Sequence, residues 1–330
     1  MEEFESYFKD IYQDFKRGET TELTFRTALK VFIEKLIPEL KLSEENKNIK
    51  KTGRPDFTCL KKELKIGYIE TKDIVGINLD EELKSEQLKK YSDAIPNIIL
   101  TDYTRFILFR NLRPVLDVKL FSSDDLKRGK VTINDEDARK FKQLLDAFVD
   151  YRLPTIKTAT ELASELSKKT KLLREYTKVQ LDEDLKNKEN GQETTAVFDF
   201  YEAFRELVKD APISDCVDAY AQTITYGLFL AKIGSSEKLT RDHAVSYIPA
   251  SIKIIKKIFM NITGDALPKD VSWVVDDIIA ILNNSDIQKI LAEFVFEGKN
   301  YKDPLIHFYE GFLKEYDPEK RKQLFYIYTN

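Results

Sequence analysis

The stretch from Lys51 to Asp73, KTGRPDFTCLKKELKIGYIETKD, gathers acids and lysines at spacings that suit phosphate chemistry. Asp56 stands at the mouth of a short run of β-forming residues. After a polar turn over residues 61–65 the chain returns through Gly67-Tyr68-Ile69-Glu70-Thr71-Lys72. Side chains alternate across a strand, so Tyr68, Glu70 and Lys72 fall on one face. Pairing the two runs as a hairpin brings Asp56 beside Glu70, and two carboxylates and an ammonium converge. Clustered carboxylate oxygens suit a hard divalent cation such as Mg²⁺. Such a cation lowers the pKa of a bound water and polarises a scissile phosphate. A neighbouring lysine stabilises charge developing on the phosphoryl oxygens, or helps orient the attacking water. In a chain that is 33% charged, Glu-x-Lys alone reads first as a solvated surface pair. Pro55-Asp56 at hairpin distance, with an apolar strand around each acid, moves the reading toward a site.

These residues need a scaffold, and the surrounding pattern supplies one. Residues 3–40 read as helix: Leu29, Phe32, Ile33 and Leu36 recur at helical spacing, and Pro38 marks the end. Residues 43–54 are polar and read as a loop. Asp56–Leu60, Ile66–Lys72, Asn97–Thr101 and Phe106–Arg110 read as strands, with a helix over Asp80–Ser92 between the second and third. A further strand near Val115–Phe121 and a helix near Asp135–Tyr151 complete a mixed α/β domain. From Thr158 onward the signals are helical, interrupted by a polar loop over residues 184–194. Helical patterns resume at 197–210, 213–233, 247–262, 269–283, 286–298 and 303–316. The expected organisation is an α/β domain over residues 1–153, its mixed sheet flanked by helices, then an all-α domain over residues 154–330. The boundary falls at Leu153-Pro154.

Composition narrows the chemistry further. The chain has 330 residues, is 42% hydrophobic and carries a net charge of -4, so it reads as folded and is no basic nucleic-acid arm. Two cysteines, Cys59 and Cys216, are too few for a disulfide framework or a four-thiolate zinc site. His243 and His307 are the only histidines, which disfavours most imidazole-based catalysis. His307 in an amphipathic run, and Tyr220 and Tyr226 on an apolar helix, read as packing residues. No GxxxxGK[ST] or GxGxxG occurs. There is no charged-then-apolar leader pattern and no run of about 18 apolar residues, so a cytoplasmic protein with no membrane partner is expected.

Pro55-Asp56 with Glu70-Thr71-Lys72 resembles the PD-(D/E)xK nucleases. That family often carries an acid on the helix before the sheet, and Glu22 fits. Some branches carry Q-x-x-x-Y on the following helix, and Gln87 and Tyr91 fit. In order, TELTFRTAL, GRPDF, GYIETKD, EQLKKY and IILTDYTRFILFRN look like the nuclease domain of type IIG and related type ISP restriction-modification enzymes. DAYAQTITYG and DPLIHFYEGFLKEYDPEKRK look like the helical connector of those enzymes, so the resemblance spans nearly the whole chain. It implies a restriction-endonuclease-like fold and a Mg²⁺-dependent DNA endonuclease, with Mn²⁺ as a substitute. Asp56 and Glu70 would hold the metal, with the Thr71 carbonyl as a third ligand. Lys72 would assist the nucleophile or transition state, and Glu22 would reach a second metal or a metal-bound water. Gln87 and Tyr91 would position the site or the DNA, and Arg54 with its neighbouring lysines would touch phosphates. In the family a methyltransferase domain and target-recognition region follow where this chain reads Tyr328-Thr329-Asn330. Neither a cofactor loop nor an Asn-Pro-Pro-Tyr-type motif is present, so both functions are expected on a missing domain or subunit. The competing expectations are a catalytically idle nuclease-like interaction module, and a nuclease acting on RNA or branched DNA.

Overall fold

Aromatic residues at helical spacing build the first half around one sheet. The computed structural model describes residues 1–18, 24–44, 55–61, 64–82, 85, 95–110, 113–152, 155–248, 259–260, 267–294 and 303–319. Helix α1 (Glu2–Lys16) turns Phe4, Tyr7, Phe8 and Ile11 inward. Helix α2 (Arg26–Leu36) buries Leu29, Phe32 and Ile33. Tyr7 stacks on Phe32 with ring centroids 4.2 Å apart, and Phe32 stacks on Phe141 at 5.3 Å. Phe141 lies on α5 (Asp135–Val149) and meets Phe106 of the sheet edge-on at 4.7 Å. Three helices are thus joined to the sheet through one aromatic cluster. Between the last strand and α5 lies a short helix, α4 (Ser123–Arg128). It is set by a capping box in which Ser122 and Asp125 satisfy each other's backbone N–H groups.

The sheet has six strands in sequential order: β1 (Leu40–Glu44), β2 (Phe57–Lys61), β3 (Leu64–Thr71), β4 (Asn97–Thr101), β5 (Arg105–Arg110) and β6 (Arg113–Lys119). Every neighbouring pair is antiparallel except β3 and β4, which run parallel. A parallel pair needs a crossover, and residues 72–96 make it, beginning with α3 (Leu79–Glu82). All five residues of β4 are buried, as befits a central strand covered on both faces.

Two sequence expectations change here. The helix expected over residues 3–40 is two helices, with Gly18 at φ +75° just beyond the end of α1. Leu40–Glu44, split between that helix and the expected loop, forms β1 instead. Leu40 and Leu42 turn inward and Lys41 and Ser43 outward, and the strand pairs along the whole of β2. Of the helix expected over residues 80–92, Leu79–Glu82 is helical, and residues 83–84 and 86–94 lie outside the described residues.

The chain divides into two compact units, Met1–Arg152 and Leu153–Asn330. The described part of the second is helical: α6 (Ala159–Glu189), α7 (Ala196–Leu207), α8 (Ile213–Gly234), α9 (Arg241–Ala244) with a 3₁₀ turn over Val245–Tyr247, α10 (Lys269–Asn283), α11 (Ile287–Ala292) and α12 (Pro304–Tyr316). The 31-residue α6 is its axis, and α7, α8, α10 and α12 pack against it. It runs through Asp184, where a loop was expected, because Asp184 is buried and accepts from Thr195 N–H and Oγ1 at the next helix cap.

Candidate active site

The β2–β3 hairpin positions the acids. Phe57 pairs with Ile69, so the next residues outward, Asp56 and Glu70, stand across from one another. Glu70 and Thr71 end β3, and the ladder continues one step further, where Lys72 N–H donates to the Thr101 carbonyl at 2.8 Å. Asp56, Glu70 and Thr71 are all buried.

Each oxygen of Asp56 is held. Oδ2 accepts from Thr71 N–H at 2.7 Å and from Thr71 Oγ1 at 2.6 Å. Oδ1 accepts from Arg26 Nη2, the first residue of α2. Arg26 is 1% exposed, and its guanidinium lies 5.9 Å from the centroid of the Phe57 ring. On the other strand, Lys72 Nζ donates to Glu70 Oε1 at 3.1 Å and lies 3.6 Å from Glu82 Oε2 at the end of α3. Burial works against the Lys72 charge, but Glu70, Glu82 and Asp56 outweigh it and hold the pKa above the usual lysine value. Lys72 is therefore an ammonium at neutral pH.

The donor set is made of oxygens only, which suits a hard cation. Among the described residues no group of three or more His, Cys, Asp or Glu side chains is arranged to hold a metal. Asp56 and Glu70 offer two carboxylates, and Mg²⁺ is commonly held by one or two, with waters and substrate phosphate completing its shell. The residues present fit a single hard cation of this open kind. Thr71, expected as a carbonyl ligand, uses its N–H and hydroxyl to orient Asp56.

Of the other site residues expected from the sequence, Glu22, Arg54, Gln87 and Tyr91 lie outside the described residues. Two residues at the site were not singled out. Arg26 carried a signal: a cation in the first turn of a helix opposes the macrodipole and needs an anion to explain it. Glu82 carried none, being one acid in the acidic run Asp80-Glu81-Glu82. Elsewhere, the His307 ring stacks on Phe294 with centroids 5.7 Å apart, and Tyr220 is buried in the helical unit.

No family model matches this chain, and no curated protein matches it. Among solved structures, a chain of the one described as "cryoEM structure DrdV-DNA complex" aligns at 23% identity with a TM-score of 0.35, covering 46% of this chain and 99% of that chain. A likeness of that size assigns neither fold family nor activity. No described helix is long and apolar enough to cross a membrane.

Proposed function

We propose that residues 1–153 are a PD-(D/E)xK endonuclease domain that hydrolyses phosphodiester bonds in DNA with Mg²⁺, or Mn²⁺ in its place. The observation that carries this reading is the hairpin register: Asp56 stands across from Glu70, and Lys72 is bonded to Glu70 at 3.1 Å. Asp56 and Glu70 would hold the cation, with the Thr71 carbonyl beside them. When bound, the cation polarises the phosphate and makes a bound water a better nucleophile. Arg26 and Thr71 orient the Asp56 carboxylate. Lys72, held as an ammonium, has no lone pair with which to act as a base, so its part is to stabilise negative charge on the phosphoryl oxygens. Glu22, Gln87, Tyr91 and Arg54 complete the proposal as a further acid and as residues that position DNA. Residues 154–330 are read as the helical connector to a methyltransferase and target-recognition region.

A second reading is favoured by one observation. The buried Arg26–Asp56 ion pair also serves the fold, as an idle nuclease-like module retained for interaction would require. Incubating the full chain with supercoiled DNA, single-stranded RNA and a branched DNA, each with Mg²⁺ or Mn²⁺, separates these readings. Metal-dependent nicking of the supercoiled DNA that disappears in Glu70→Gln is expected. Cleavage of only RNA or the branched substrate would change the substrate class. No cleavage of any substrate, together with no Mn²⁺ binding, would leave the idle module.

A further inference from the structure

On the proposed reading, Lys72 would share Glu70 with a divalent cation. Its Nζ lies 3.1 Å from Glu70 Oε1, and a divalent cation on that carboxylate would repel an ammonium held at hydrogen-bond distance from it. The ammonium then needs a second anion if it is to stay in the site. Among the described residues three acids act on Lys72: Glu70, Glu82 and Asp56. Asp56 already receives Arg26 and Thr71. Glu82 remains: its Oε2 is 3.6 Å from Lys72 Nζ, and its side chain is 27% exposed against 6% for Glu70. It sits at the end of α3, on the crossover, whereas Glu70 lies on β3 and Asp56 just before β2.

We propose that Glu82 is a positioning residue for Lys72, holding the ammonium when Glu70 is committed to a divalent cation. Glu82 would touch neither metal nor substrate; it allows a lysine and a dication to work at the same carboxylate. The inference rests on the reading of Asp56 and Glu70 as cation ligands, and it adds to that reading a residue that acts only through Lys72.

The test is a calorimetric Mn²⁺ titration of the full chain as wild type, Glu82→Gln, Lys72→Met and the double variant, with Glu70→Gln as control. Glu82→Gln is expected to weaken Mn²⁺ binding about fivefold, the scale of one partly exposed ion pair. Lys72→Met removes the competing ammonium and is expected to tighten binding. In the Lys72→Met background, Glu82→Gln is expected to change nothing, because the group it served is gone. If Lys72→Met melts early, Lys72→Gln takes its place in the cycle. Equal loss from Glu82→Gln with and without the lysine would mean that Glu82 acts on the cation directly, and would overturn the proposal. Wild-type affinity in Glu82→Gln would overturn it as well. If Glu70→Gln binds Mn²⁺ as the wild type does, the cation reading fails and this inference with it. If Glu70→Gln loses binding while Glu82→Gln does not, the inference about Glu82 fails alone.

Discussion

Asp56 has two attachments in the core: a buried arginine on its Oδ1 and a threonine with two donors on its Oδ2. Its replacement should therefore have two consequences. Asp56→Ala takes the carboxylate away from a guanidinium that is 1% exposed, and breaking a buried pair from one side costs about 3–5 kcal/mol. Asp56→Ala is thus expected to lose DNA cleavage and a large part of its stability to urea. Glu70→Gln keeps the size of the side chain and an oxygen that still accepts from Lys72, so it should lose cleavage with a much smaller loss of stability. Plasmid nicking measured beside urea melts checks both. Wild-type cleavage in Glu70→Gln, or equal melts for the two variants, would contradict this account. The same comparison warns against reading inactivity of Asp56→Ala as a purely chemical effect.

At the scale of elements, the site depends on how closely the crossover pair β3–β4 packs under α5. Gly67 of β3 lies where a Cβ would come within 2.5 Å of the Asn97 carbonyl oxygen and 2.8 Å of the Phe148 ring. Asn97 completes that junction by donating to the Ile66 carbonyl at 2.8 Å and to the Phe148 carbonyl at 2.9 Å. Backbone cannot yield as a flexible side chain does, so Gly67→Ala is expected to destabilise by about 1–3 kcal/mol, the usual cost of overpacking. A thermal melt no lower than that of wild type would show that the sheet and α5 separate more freely than this packing implies. In the helical unit the corresponding junction is ionic. Lys169 of α6 donates to Asp277 of α10 at 2.6 Å, with both side chains buried. Lys169→Met should cost about 3–5 kcal/mol, and adding Asp277→Leu should recover most of it, since an apolar pair can replace a buried ion pair. Urea melts of the single and double variants decide; a neutral single variant would mean water reaches the pair.

The whole molecule carries a net charge of -4, which limits what the chain does to DNA alone. Affinity for DNA rests on phosphate contacts by Lys and Arg, and specificity on contacts to base edges. The isolated chain is expected to bind DNA weakly and without sequence preference, and to nick it slowly, with both effects fading as salt rises. Discrete restriction fragments from a pure sample would place target recognition within these residues and end the connector reading of the second half. The two cysteines report on the two units separately, Cys59 in the first and Cys216 in the second. Burial pushes the Cys216 thiol up to about 12 and the Cys59 thiol higher still. Near pH 8 both remain protonated and should resist alkylation until their unit opens. Mass-resolved labelling across a urea series follows each opening, and fast labelling of either thiol in native buffer would contradict the burial described.

What the sequence determined by itself is what short-range periodicity controls. Alternation and a short turn bring Asp56, Glu70 and Lys72 close together, but the register set at the turn shifts by one residue between Cys59 and Leu60, and that bulge sets Asp56 across from Glu70. The described helices of the second half follow from the 3.6-residue recurrence of apolar side chains; most of the helix expected over residues 247–262 lies outside the described residues. Only the tertiary structure decided the rest. Leu40–Glu44 is a strand because β2 lies beside it, and five residues carry too little pattern to announce a partner elsewhere in the chain. Asp184 continues a helix because the cap of the next one covers it. Arg26 reaches Asp56 across 30 residues of sequence, and Glu82 reaches Lys72 through a crossover. Such contacts depend on where elements dock, and α2 docks through the aromatic core it shares with α1, α5 and the sheet rather than through the residues that meet at the site.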